Sequence, residues 1–375
     1  MVQNLKHKNK KIKIAIIGGG YDSTISKTHL RSILATNKFT IICGCFSRNR
    51  NKNVKNSDFY KIPLNKVYSS IDELIKREKE NIELAVVLTP PHNRNKIYYK
   101  LAKNKIGIIS EKPFEANISE AKKIYEFLKK RKTFFVSTYN YLGYPAIIEL
   151  KQAIRKIGKV RNFILEMPQQ SSILKSTNIK KWRKKDIGVP NLHLDLASHL
   201  VSIMIYIFNQ IPQKVLGFEN KNQKYKYVDN CYAWLKFKKF NGQIWFSKNA
   251  AGNKNELSIK IFGTKGGLKW KHSCPEEILF NDGVGHSFKI DRLNPKTKYL
   301  KISDLFTYSP GHPSGFLDAF INIYEQIFNI YRFKKSKYPI FLDLKQNLDI
   351  ISVINSIHLS SKKNIWQKIQ SKIGR

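Results

Sequence analysis

Between Lys11 and Thr138 the chain repeats one pattern: a short apolar run, a polar turn, then a helical stretch. Strands are expected at Ile12–Ile17, Phe39–Phe46, Leu84–Thr89, Ile106–Ser110 and Thr133–Thr138. Helices are expected at about 26–36, 70–79, 92–104 and 119–131, the second opening on a "SIDE" capping box in which Ser70 caps the Glu73 amide. Strands that alternate with helices must be joined by right-handed crossovers, which lay them parallel and cover both faces of the sheet. The fold class read from this half is α/β, a doubly wound parallel sheet.

After about Tyr139 the pattern changes to longer alternating runs such as "KVRNFILEMP" and "ELSIKIFGTKGGLKWKH". These read as an α+β domain with a large, mostly antiparallel sheet, with helices at about 192–208, 314–332 and 344–357. "FNGQ" (Phe240 to Gln243) is read as a hairpin turn, because Asn-Gly tolerates positive φ. The expected division is a basic tail at 1–10, a nucleotide-binding domain at 11–140, and a substrate-binding and oligomerisation domain at 141–375.

Net charge is +41. Such a charge suits a nucleic-acid or anionic-membrane partner. Yet the lysines are spread along the whole chain beside abundant Asn and Ile, with no Arg-rich helix, so the excess reads as compositional. No apolar run approaches the roughly 20 residues that span a bilayer. The basic N-terminus leads directly into the first strand, with no apolar signal core. The four cysteines (Cys43, Cys45, Cys231, Cys274) form no CxxC pair and no Cys/His cluster along the sequence. Neither a metal site nor a disulfide framework is expected, and a cytoplasmic location fits.

Five stretches are candidates to carry chemistry. "IIGGGYDSTIS" is a glycine turn between the first strand and first helix, where backbone amides approach a pyrophosphate at the helix N-terminus. Gly18, Gly19, Gly20, Ser23 and Thr24 are its candidate cofactor contacts. Ser23 stands where the fingerprint has its third glycine. At the end of the second strand Ser47 and Arg48 replace the acidic residue that would hold ribose hydroxyls, which leans the choice between NAD and NADP toward NADP. "LTPPH" places Thr89, Pro90 and His92, and "SEKP" places Glu111 and Lys112, at the carboxyl edge of the sheet, where doubly wound folds bind ligands. In "GVPNLHLDLASHLVSIMIYIF", apolar on nearly all sides, Asp195 and His199 stand one turn apart on a shared helix face. A carboxylate there can orient an imidazole that moves protons. His193 competes on another face.

Taken in order, the glycine turn, "TPPH", "EKP", "YNYLGYP", "KWR", the DxxxH helix, "AAGNKNELSIKIFGTKGGLKW" and "GHPSGFLDAFINIY" resemble the Gfo/Idh/MocA oxidoreductases, the family of glucose–fructose oxidoreductase and inositol dehydrogenase. The resemblance implies a Rossmann-type NAD(P)-binding domain followed by the substrate domain. It implies that Lys112 is catalytic, with Asp195 and His199 as the acid/base pair, and that the Lys112–Pro113 bond is cis. Trp182 and Arg183 become cofactor contacts; Tyr144 and His312 join Lys112, Asp195 and His199 as substrate contacts. The implied substrate is a carbohydrate, cyclitol or nucleotide-sugar, and the implied assembly a homodimer or homotetramer. The chain departs from the family where Pro190 to His193 and Ala197 replace usual glycines and where Asp22 and Ser26 stand in the phosphate turn. Two rival functions are a catalytically silent sensor or regulator of the same fold, and a basic nucleic-acid-binding protein. Keeping Lys112, Asp195 and His199 together argues for an enzyme.

Overall fold

The structure, a computed structural model, describes residues 10–173, 186, 188–223, 227–294, 297, 305, 308–312, 314–336, 338 and 340–369. The expected basic tail, apart from Lys10, and the Lys181–Arg183 stretch lie outside these residues. Two compact units emerge: the first joins Met1–Glu115, Ser119–Gly143 and Phe316–Asn347, and the second joins Ala116–Ile118, Tyr144–Gly315 and Leu348–Arg375. Each unit is thus assembled from separate stretches of chain. Phe316–Asn347, expected in the second domain, belongs to the first unit.

In the first unit the elements follow as β1 (Ile12–Ile17), α1 (Thr24–Thr36), β2 (Phe39–Cys45), α2 (Arg50–Tyr60), β3 (Val67–Tyr68), α3 (Ile71–Glu78), β4 (Leu84–Val87), α4 (Asn95–Lys103), β5 (Gly107–Glu111), α5 (Ile118–Lys130) and β6 (Phe135–Thr138). The six strands are parallel, in the order β3-β2-β1-β4-β5-β6. That is the strand order of a Rossmann sheet, whose direction of growth reverses between β1 and β4. Central strands are apolar on both faces: every residue of β4 is buried. Ser70 caps α3 by accepting from the Glu73 amide at 3.2 Å, as its capping box predicts. A helix from far down the chain, Phe316–Phe333, packs on α1, where Tyr324 OH meets His29 Nδ1 at 2.6 Å. Its Arg332 grips the Glu83 carboxylate with both Nη atoms, at 2.5 and 3.1 Å.

The second unit contains α6 (Pro145–Ala153), β7 (Val160–Pro168), a π turn at His193–Ala197 and α7 (Ser198–Phe208). Strands β8 (Lys214–Lys221), β9 (Val228–Lys236), β10 (Asn241–Ser247), β11 (Ser258–Gly263), β12 (Gly266–Lys271), β13 (Ile278–Asn281), β14 (Ser287–Ile290) and β15 (Gln367–Lys368) follow. Before the last of these the chain forms the first unit's late helix, α8 (Phe316–Phe333), and then α9 (Leu344–Lys363). The nine strands run β14-β13-β12-β11-β7-β10-β9-β8-β15, antiparallel except for β7 with β10. One face is buried through residues such as Phe163, Leu165, Ala233, Ile244 and Ile259, and α7 packs against β7 there. Along β8 and β9 the other face exposes Phe218, Tyr232 and Trp234.

The Asn-Gly hairpin turn is displaced. Asn241 and Gly242 lie inside β10, and the turn runs over Phe237–Phe240, closed by the Phe237 amide to the Phe240 carbonyl at 3.0 Å. Gly242 serves packing instead: a Cβ there would stand 2.0 Å from the Phe163 ring.

Candidate active site

Within the first unit, one group of candidate residues lies at the carboxyl edge of the six-stranded sheet. Gly18 and Gly19 take φ of +75° and +66°, a region glycine enters without strain. A Cβ on Gly18 would come within 2.7 Å of the Thr89 side chain, and one on Gly19 within 2.5 Å of Leu88. The turn after β1 is thereby pressed against the segment after β4, at the reversal point of the sheet. Gly20 and Ser23 continue it; the Ser23 amide donates to the Gly20 carbonyl at 2.9 Å. Ser26 Oγ ties the turn inward by donating to the Gly20 and Ser23 carbonyls at 2.8 and 2.6 Å. Ser23 is the N-cap of α1, yet its side chain makes no capping bond, and Thr24 beside it is exposed.

The helix α2 supplies two further anchors. Buried Asn56 accepts from the Tyr21 amide at 2.8 Å, and buried Asn53 holds both the amide and the carbonyl of Ser47. Arg48 is exposed just beyond. Tyr60 OH donates to the Gly19 carbonyl at 2.5 Å.

Thr89 Oγ1 is buried and has no hydrogen-bond partner among the described residues. Pro90 is exposed and His92 half-buried, its pKa lowered by burial and then by the neighbouring Arg94 charge. Arg94 is one residue that the sequence does not single out. Only 3% exposed, it donates from Nε to the Thr89 carbonyl at 2.7 Å. Its Nη1 donates to the carbonyls of Glu111 and Pro113, and Nη2 reaches that of Lys112 at 3.4 Å. One guanidinium thus links the "TPPH" and "SEKP" segments.

Lys112 follows β5 directly, is half-buried, and is joined to Pro113 by a cis peptide bond, as the resemblance implied. Glu111 is different. Its carboxylate accepts from Thr138 Oγ1 at 2.8 Å and lies 3.5 Å from His29 Nε2, inside the unit. Both contacts use Oε1 and hold the carboxylate against core groups of the unit.

A separate group of candidate residues is built on the buried helix of the second unit. Asp195 lies within the π turn, a widened turn often found at functional positions. His199 lies in the first turn of α7 and is 6% exposed. Asp195 pairs with Lys248 Nζ at 2.6 Å, a cation that nothing singles out at the end of "IWFSKNA" in the sequence. Tyr144 is 1% exposed, its hydroxyl 2.9 Å from His272 Nε2 and its ring against Trp270. Burial lowers the His272 pKa. These contacts hold Tyr144, expected as a substrate contact, within the second unit. His312 is exposed in a turn before α8. Trp182 and Arg183 lie outside the described residues.

The carboxyl edge of this sheet suits a dinucleotide on two grounds: a glycine cradle that a Cβ would fill, and a buried unpartnered hydroxyl beside it. Comparison with known proteins agrees. Residues 12–139 match a family profile described as "Oxidoreductase family, NAD-binding Rossmann fold", and residues 147–269 match the GFO/IDH/MocA C-terminal domain. An uncharacterised Saccharomyces cerevisiae protein is 24% identical over 235 residues, 61% of this chain and 65% of that protein. Levoglucosan dehydrogenase of Pseudarthrobacter phenanthrenivorans is 23% identical over 262 residues, 63% of this chain and 64% of that enzyme. Each match thus spans just under two thirds of the relative's length. Among solved structures, an inositol dehydrogenase homolog from Azotobacter vinelandii, complexed with NADH and myo-inositol, superposes with a TM-score of 0.87 at 18% identity, covering 96% of this chain and 98% of that one. Profile, fold and site together identify the chain as a member of the Gfo/Idh/MocA oxidoreductase family.

Proposed function

We propose that the chain is an NAD(P)-dependent oxidoreductase acting on a hydroxyl-bearing carbon of a sugar, cyclitol or nucleotide-sugar. The carrying observation is the "SEKP" turn, which Arg94 fixes so that Lys112 stands at the carboxyl edge of a nucleotide-binding sheet. The named activities of the relatives support the substrate class.

The nicotinamide, when bound, accepts or supplies the hydride. The glycine turn and Thr89 hold the dinucleotide. Lys112 donates a hydrogen bond from Nζ to the reacting oxygen and steadies negative charge as it develops there. His199 takes the hydroxyl proton, and Asp195 favours the resulting imidazolium. Lys248 orients the Asp195 carboxylate through their 2.6 Å contact. NADP is the preferred form, because the exposed Arg48 beyond β2 suits a 2′-phosphate and no carboxylate stands between Phe46 and Asn49. The working form is a cytoplasmic homodimer or homotetramer.

The test is turnover on a panel of sugars and cyclitols with NAD+ or NADP+. Lys112→Ala and His199→Ala should each lower kcat by about 10²- to 10⁴-fold without loss of fold. Near wild-type turnover in either variant would contradict the role of that residue.

A further inference from the structure

Three side chains far apart in sequence meet inside the second unit: His193 from the π turn, Glu219 from β8 and His358 from α9. His193 is 0% exposed and His358 8%. Their ligand-type atoms all lie within 4.8 Å of one another. Glu219 Oε1 is 2.7 Å from His193 Nε2 and 2.8 Å from His358 Nδ1.

Close packing of a helix on a strand creates this meeting. α9 lies directly on β8 because Gly217 has no side chain: a Cβ there would come within 2.6 Å of the Ile357 carbonyl. The next residue, His358, then falls beside Glu219. Ser360 and Ser361 hold the same approach by accepting from the Gly217 and Glu219 amides at 3.0 Å each. On the adjoining strand Cys231 is the register partner of Glu219 and is fully buried, on the same inward face.

A simple ion-pair cluster accounts poorly for His193. Its short approach to Glu219 is off the direction of a ring N–H bond, and both its ring nitrogens are buried with no hydrogen-bond partner among the described residues. An imidazole sealed from water should have such atoms satisfied. A cation that both imidazoles and the carboxylate could ligate would satisfy one nitrogen of His193 and draw the three donors into a single coordination sphere.

We propose that His193, Glu219 and His358 form a metal site that takes a divalent transition ion, Zn2+ being the best fit to two imidazoles and one carboxylate. Tetrahedral bonds of about 2.0–2.1 Å put ligand atoms about 3.3 Å apart, so the Glu219 contacts need open by only about half an ångström. The site departs from the expectation of no metal, which rested on the lack of a Cys/His cluster along the sequence. The donors cluster only after β8, α9 and the π turn have packed. Its role is to hold the π turn: His193 lies two residues before Asp195 and six before His199.

The test uses the full-length chain and zinc alone. Elemental analysis of protein purified without chelator, then calorimetric titration of Zn2+ into EDTA-stripped protein, should both give about one ion per chain. Zn2+ should raise the Tm of the stripped protein. Glu219→Gln and His358→Ala should each weaken zinc binding by at least about tenfold. Should the variants fail to fold, the wild-type titration alone decides. No saturable zinc binding by the wild type, or binding by folded variants equal to wild type, would overturn the site.

Discussion

A guanidinium with 3% exposure must find acceptors, and Arg94 finds them in main-chain carbonyls of two separate segments. Lysine cannot reproduce that fork from one nitrogen. Arg94→Lys should therefore destabilise the protein by about 3 kcal/mol and loosen the Lys112 turn. Chemical denaturation reads the first effect, and a fall in kcat larger than any change in KM reads the second. Lys112, Asp195 and His199 are legible as candidates because each stands in a recurrent local motif. The sequence does not announce Arg94 or Lys248, whose partners are placed by tertiary structure. The glycine turn is legible for a different reason. Positive φ at Gly18 is a local requirement, and Gly18→Val would also strike Thr89. That variant should lose dinucleotide binding by at least about 100-fold in a fluorescence titration while β1 still folds.

At the scale of elements, β1, β2, β4, β5 and β6 lie where their apolar runs place them, within two residues at most ends. The helix α2, "RNKNVKNSDFY", is invisible in the sequence because it has no apolar stripe; its buried Asn56 holds the phosphate turn and its buried Asn53 holds Ser47 through hydrogen bonds. The hairpin turn is misplaced because Asn-Gly states a turn preference, while the Phe163 ring requires glycine at the same spot for space. The α3 region also carries a pH signature. Burial raises the pKa of Glu78, but bonds from Lys66 at 2.6 Å and Tyr68 at 2.5 Å outweigh it, and the net shift is downward. Its stabilising contribution is complete above the unfolded-state value of about 4.3 and disappears as pH falls through the lower folded value. The gap in urea midpoint between wild type and Glu78→Gln should be wide at neutral pH and close as pH drops below about 4. A gap that stays constant would show that Glu78 acts through packing alone.

At the scale of the whole molecule, the division into two units is legible as a change of pattern, but the return of Phe316–Asn347 to the first unit is not. Helical periodicity gives no address, and the helix is assigned by Tyr324 against His29 and by Arg332 against Glu83. The open face of the nine-stranded sheet carries Phe218, Tyr232 and Trp234, 48%, 40% and 49% exposed, with Tyr232 stacked on Trp245 at 5.6 Å. This apolar patch is where subunits of the proposed homo-oligomer would meet. Trp234→Glu with Tyr232→Lys should shift sedimentation toward the monomer, whereas an unchanged profile would place the interface elsewhere. The central claim is that the first unit holds a nicotinamide dinucleotide, and it is tested most directly by denaturing the purified protein, identifying released nucleotide by mass spectrometry, and titrating NADH and NADPH into the empty protein. The account predicts release or saturable binding of one dinucleotide per chain, with NADPH the tighter. A protein that releases neither and binds neither would contradict it.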